Sequence, residues 1–125
     1  MMAWQDQLHN DSLPWLLEPD SPGVRYLALR DLVGLPHDDP ALLTARAAAH
    51  TQGPIATILS EMDESGYWAK SGPGYLPKYR STVWSIIMLA QLGALAEDDP
   101  RLERACAYLI DHALASGGQF SASGA

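Results

Sequence analysis

Apolar residues recur along most of this chain at helical spacing. Ile55, Ile58, Leu59 and Met62 fall at i, i+3, i+4 and i+7, leaving Glu61, Asp63 and Glu64 for water. Leu102, Ala105, Cys106, Leu109, Ile110, Ala113 and Leu114 keep the same spacing for three turns, with Glu103, Arg104 and Asp111 outside. Residues 81–95 are apolar on nearly every face, which predicts a helix enclosed by neighbours on both sides. No segment sustains a period of two, so the fold class is all-α. The pattern predicts helices over 23–34, 40–51, 54–65, 81–95 and 100–115, with a short one near 11–18. That makes five to six helices, packed as antiparallel pairs. Residues 1–19 form an N-terminal arm and 20–125 a helical repeat domain.

The boundaries between these runs share one chemistry. "DSP" at Asp20–Pro22, "DDP" at Asp38–Pro40, "QGP" at Gln52–Pro54 and "DDP" at Asp98–Pro100 each precede an apolar-periodic run. A polar N-cap followed by proline at the first helical position starts a helix, and carboxylates there favour the positive end of its dipole. Residues 66–80, rich in Gly and Pro, form the single long connection. A loop of that length in a small domain is usually functional or held by its own side chains.

There is an internal echo. "DDPALLTARAAAH" at Asp38–His50 aligns with "DDPRLERACAYLIDH" at Asp98–His112, a shift of 60 residues (98 − 38) that also places Leu29 on Leu89 and Leu32 on Leu92. A second echo joins Gly66-Tyr67-Trp68 to Gly118-Gln119-Phe120. The two together predict a helical repeat closed by a Gly-x-aromatic corner. With Ser65 as the last helical residue, Gly66 takes the left-handed conformation a Cβ resists. Tyr67 then folds back onto Met62 and Trp68 reaches the adjoining helix pair, as a ligand wall or as a packing plug.

The bulk numbers narrow the partners. At 125 residues the chain is one domain, or a piece of one, and buries roughly two thirds of its unfolded surface on folding. Net charge is −7, so a nucleic-acid partner is excluded for want of a basic stripe. One cysteine allows no internal disulfide and fits a reducing compartment. The start lacks the basic and apolar regions of a secretory signal, and no apolar run approaches a membrane span. The expected location is the cytoplasm.

These corners, with "PKYRSTVW" before an apolar helix and "RACAYLIDHALASGGQF" after it, resemble the squalene-cyclase and prenyltransferase α/α-toroid superfamily. More narrowly, the chain looks like the uncharacterised bacterial prenyltransferase-repeat proteins related to it. Arg104, Ala105, Tyr108 and Leu109 match the first part of that superfamily's repeat; its Gln position holds Met62 in one copy and about Ala113 in the other. The resemblance covers roughly residues 20–122. It implies part of a toroid, and a half-toroid leaves an open apolar face for another copy, a protein partner or an apolar small molecule.

The catalytic motifs of that superfamily do not carry over. The chain has no D-x-D-D acid. No D-D-x-x-D forms either, because positions 42 and 102 are Leu. No zinc set is implied: Cys106 lacks an Asp two residues before it, and His112 lies about 240° around the helix from it. His9, His37, His50 and His112 show no ligand spacing and read as structural or solvated. No catalytic residue, metal or other cofactor is assigned. The ligand-binding candidates are Tyr67, Trp68, Tyr75, Lys78, Tyr79, Arg80 and Trp84. Lys78 and Arg80 either hold an anionic head group beside aromatic faces or, with Lys70, neutralise Asp63 and Glu64; Ser81 or Thr82 caps the next helix. The leading expectation is a non-catalytic repeat module. The alternatives are a fragment of an isoprenoid-processing enzyme whose catalytic residues lie elsewhere, and a HEAT-like interaction scaffold.

Overall fold

The computed structural model describes residues 3–123, in which six α-helices follow one another with no strand among the described residues. The four-residue α1 (Leu13–Leu16) leads into α2 (Pro22–Ala28), which runs on as one wider turn to Val33. Then come α3 (Pro40–Thr51), α4 (Pro54–Ser60), α5 (Thr82–Gln91) and α6 (Pro100–Ala113). The all-α expectation holds. α2 packs on α3 and α5 on α6, while α4 joins the two pairs.

The second aspartate of each "DDP" is the cap. Asp39 Oδ1 accepts from the Ala41 amide at 2.9 Å, and Asp99 Oδ1 from the Arg101 amide at 2.9 Å. Ser21 and Gly53 precede their prolines without a side-chain cap. Asp98 is used differently. It receives the Arg46 guanidinium at 2.8 and 3.1 Å and lies 3.5 Å from His50 Nε2, tying the start of α6 to α3.

The 60-residue echo is realised in the core. Thr82 starts α5 60 residues after Pro22 starts α2 (82 − 22), and Pro100 starts α6 60 after Pro40 starts α3 (100 − 40). Leu29 and Leu89, Leu42 and Leu102, and Ala45 and Ala105 all lie in one buried cluster, joined by Ile55 and Leu59 of α4 and by Trp68. Burial of this kind contributes roughly 25 cal/mol per Å² of apolar surface. The N-terminal arm is pinned to the cluster by Leu17, whose carbonyl accepts from Arg25 Nη1 at 2.6 Å.

Three expectations are corrected. The helix predicted to 65 stops at Ser60, where Glu61 and Met62 donate to Ile58 and Leu59 in tight three-residue turns. The helix predicted to 95 stops at Gln91. Gly93 takes φ 85 there, and a Cβ on it would sit 2.7 Å from the Tyr26 ring, so the turn is closed by the first helix pair. That same helix is not enclosed on all sides: only Thr82, Ser85 and Leu89 are buried, and Ile87 and Met88 remain exposed. Its neighbours α4 and α6 cover one side only.

Candidate functional site

The chain leaves α4 through a turn made by an aspartate. The Ser65 amide donates to Asp63 Oδ1 at 2.9 Å, the Gly66 amide to the Asp63 carbonyl at 2.9 Å, and the Asp63 amide to the Tyr67 carbonyl at 2.8 Å. This is a three-residue hairpin loop closed by a left-handed glycine, here at φ 108. Gly66 is therefore a loop glycine and not the helix cap expected of it. A Cβ on it would lie 2.8 Å from the Arg104 carbonyl oxygen and 3.1 Å from Tyr108 Cβ, so the corner is pressed against α6.

The aromatics then separate. Tyr67 turns to α6, its ring 5.4 Å from that of Tyr108, which stacks on His112 at 3.8 Å. The Asp63 carboxylate raises the Tyr67 phenol above its ordinary range. Trp68 is 3% exposed; its indole N–H donates to the Ile58 carbonyl of α4 at 2.7 Å, and its amide to Thr82 Oγ1 of α5 at 3.1 Å. It fills the joint between the two helix pairs.

The rest of the loop is folded onto the start of α5. Ser81 Oγ donates to the Gly74 carbonyl at 2.6 Å, and the Val83 amide to the same oxygen at 3.0 Å. Neither Ser81 nor Thr82 caps α5 through its side chain, contrary to expectation: one hydroxyl serves Gly74 and the other Trp68. Trp84 Nε1 donates to the Tyr75 carbonyl at 2.9 Å. The rings of Tyr75 and Tyr79 flank Trp84 at 5.4 and 4.8 Å, and Lys78 Nζ lies 5.0 Å from the Tyr79 ring centroid.

The seven candidates do not form one pocket. Trp68, Tyr79 and Arg80 gather around a cleft of about 520 Å³ with Ile58, Glu61, Ala69, Ser85 and Met88. Tyr67 borders a different cleft beside Arg104 and Tyr108, and Tyr75 faces the apolar side of α5 and α6. Trp84 and Lys78 back Tyr79 from outside the cleft.

The charge pairing expected across the loop is absent. Among the described residues the ion pairs join Arg30 to Asp31, Arg46 to Asp98, and Arg101 to Asp99. Lys70, Lys78 and Arg80 do not reach Asp63 or Glu64; the Asp63 carboxylate accepts from the Ser65 amide in its own turn. Among the described residues Arg80 faces the cleft without an acidic partner within 4.0 Å, although Glu61 lines the same cleft.

Two of the cleft residues, Ala69 at φ 65 and Tyr79 at φ 70, are the non-glycine residues of left-handed backbone among those described. Each such conformation costs about 1–3 kcal/mol, and such strain collects at binding sites. Sequence reasoning missed Ile58, Glu61, Ala69, Ser85 and Met88. The i, i+3 spacing of Ser85 and Met88 on α5 carried a signal; nothing in the local sequence marks Ala69 as left-handed.

The remaining titratable groups offer no centre. Among the described residues no three His, Cys, Asp or Glu side chains gather as metal ligands, and Cys106 is half-buried on α6. His50 is 8% exposed; Nε2 lies 3.4 Å from the Leu95 amide, and Nδ1 is buried without a partner. No helix among the described residues is long and apolar enough to cross a membrane. No protein-family model, curated protein or solved structure matches the chain.

Proposed function

We propose that the protein is a non-catalytic helical-repeat module, similar to part of an α/α toroid, that binds an apolar small molecule bearing an anionic group. The ligand lies in the cleft of Trp68, Tyr79 and Arg80. Arg80, without an acidic partner among the described residues and at a cleft whose lining holds Ala69 and Tyr79 in left-handed backbone, is the observation that carries this reading. The guanidinium meets the anion, and Tyr79 and Met88, both exposed, meet the apolar body. Lys78, 5.0 Å from the Tyr79 ring centroid, adds positive potential in a segment, residues 66–84, that contains three basic residues and no acidic one.

The test uses anilinonaphthalene sulfonate, an anion on an aromatic body, with binding followed by its fluorescence. Arg80→Ala should weaken binding about tenfold, the loss of one charge-assisted contact. Glu61→Gln should strengthen it by removing a like charge from the cleft. Binding indifferent to both substitutions would refute the proposal.

A further inference from the structure

The two Gly-x-aromatic corners share one hydrogen-bond plan. In the first, the Asp63 amide reaches the Tyr67 carbonyl at 2.8 Å and the Gly66 amide the Asp63 carbonyl at 2.9 Å. In the second, the Ala115 amide reaches the Gln119 carbonyl at 2.8 Å and the Gly118 amide the Ala115 carbonyl at 2.9 Å. Gly66 and Gly118 both have positive φ, 108 and 87. The corners lie 52 residues apart (118 − 66) and not 60, because the second follows α6 directly, with no counterpart of α4.

Their surroundings are opposite. The first corner is seated on α5 and α6: Gly66 against Arg104 and Tyr108, Trp68 on Thr82. The second is bare on the equivalent side. A Cβ on Gly118 would meet nothing within 4 Å, and Phe120, at the edge of an open apolar cleft beside α5 and α6, is 62% exposed where Trp68 is 3% exposed.

The seat recurs as well. Sixty residues before Thr82, Arg104 and Tyr108 stand Pro22, Thr44 and Ala48, and these three line one groove of about 400 Å³ with Arg25, Pro40 and Ala41. The shorter side chains, Thr44 for Arg104 and Ala48 for Tyr108, leave the space that a partner's aromatic ring fills. Arg25 lines the groove and donates one N–H to the Leu17 carbonyl at 2.6 Å. The molecule therefore carries a corner without a seat and a seat without a corner.

We infer that a second copy of this chain occupies the groove: the 115–121 corner of one protomer sits on α2 and α3 of the next, as the 63–68 corner sits on α5 and α6 within the chain. The contact is heterologous, head to tail, and shares no residue with the Arg80 cleft. Each copy carries −7, while Arg25 is the one charged side chain in the contact. Added salt then screens the repulsion between copies and tightens association.

The test is sedimentation velocity on the full chain from micromolar to millimolar concentration, with Phe120→Asp to spoil the corner and Ala48→Glu to spoil the groove. The wild type should associate with concentration, more tightly at higher salt. Each variant alone should associate at least about tenfold more weakly, since each places a charge in the contact. Mixed in equal amounts, the two variants retain one good corner and one good groove between them. They should form a one-to-one dimer and nothing larger, which also shows that both are folded. A wild type that stays monomeric throughout, a mixture that stays monomeric, or association indifferent to both substitutions would overturn the inference.

Discussion

Replacing Gly66 by alanine tests whether the corner is truly pressed against α6. Two costs combine there. An L-residue at φ 108 is strained by about 1–2 kcal/mol. The new methyl would also stand 2.8 Å from the Arg104 carbonyl oxygen, a backbone atom that cannot swing aside, and overpacking of this kind costs about 1–3 kcal/mol more. The expected loss is about 2–5 kcal/mol.

Gly34 and Gly118 are internal controls. Both have positive φ, 75 and 87, yet a Cβ on either meets nothing within 4 Å. Alanine at these sites should cost only the conformational share, about 1–2 kcal/mol. In a domain of this size each kcal/mol lowers Tm by about 3–5 °C. Thermal and urea unfolding followed by circular dichroism should therefore separate Gly66→Ala clearly from the controls. If all three variants lose the same stability, the close approach of corner and helix is wrong, and with it the description of the seat that the second corner seeks.

Two further outcomes are expected. Trp68→Phe removes the indole N–H that satisfies the Ile58 carbonyl in a closed joint and should destabilise by about 1–3 kcal/mol, measured by urea unfolding. Asp99→Ala should cost about 1 kcal/mol at neutral pH through loss of the α6 cap. The Arg101 guanidinium holds the Asp99 carboxyl below its ordinary value. Its contribution is thus complete above the unfolded value of about 3.9 and fades as pH falls through the lower folded value, so wild type and variant should converge in acid. A gap unchanged from pH 7 to pH 2 would refute the assignment.

The helix starts were legible because their cause is local. An aspartate before proline supplies a cap and a preset φ within three residues, and α3 and α6 begin at the prolines so marked. The echoing leucines and alanines were legible for a related reason. Burial at helical spacing leaves a periodic trace, and Leu29, Leu42, Ala45 and their counterparts are all in the core. The end of α4 was misjudged because the apolar period continues to Met62, while Asp63 bonds its own backbone and turns the chain; both patterns are local, and the turn prevails. The end of α5 depended on Tyr26, far away in sequence.

The candidate site was legible as a segment and not as a constellation. Residues 66–84 stood out by composition, but which ring fills a joint and which lines a cleft depends on what faces it. Trp68 is buried because α4 offers a carbonyl and α5 a hydroxyl at the right separation, and Phe120, in the same corner geometry, stays exposed at the edge of an open cleft beside α5 and α6. By itself the sequence determined helix class, helix starts, the echoing core positions and the places of both Gly-x-aromatic turns, all consequences of local backbone preference and period. Only the tertiary structure decided that Arg80 faces a cleft rather than Asp63 or Glu64, and that one corner is seated while the other is bare. Those outcomes depend on contacts between residues remote in the chain, which no local pattern encodes.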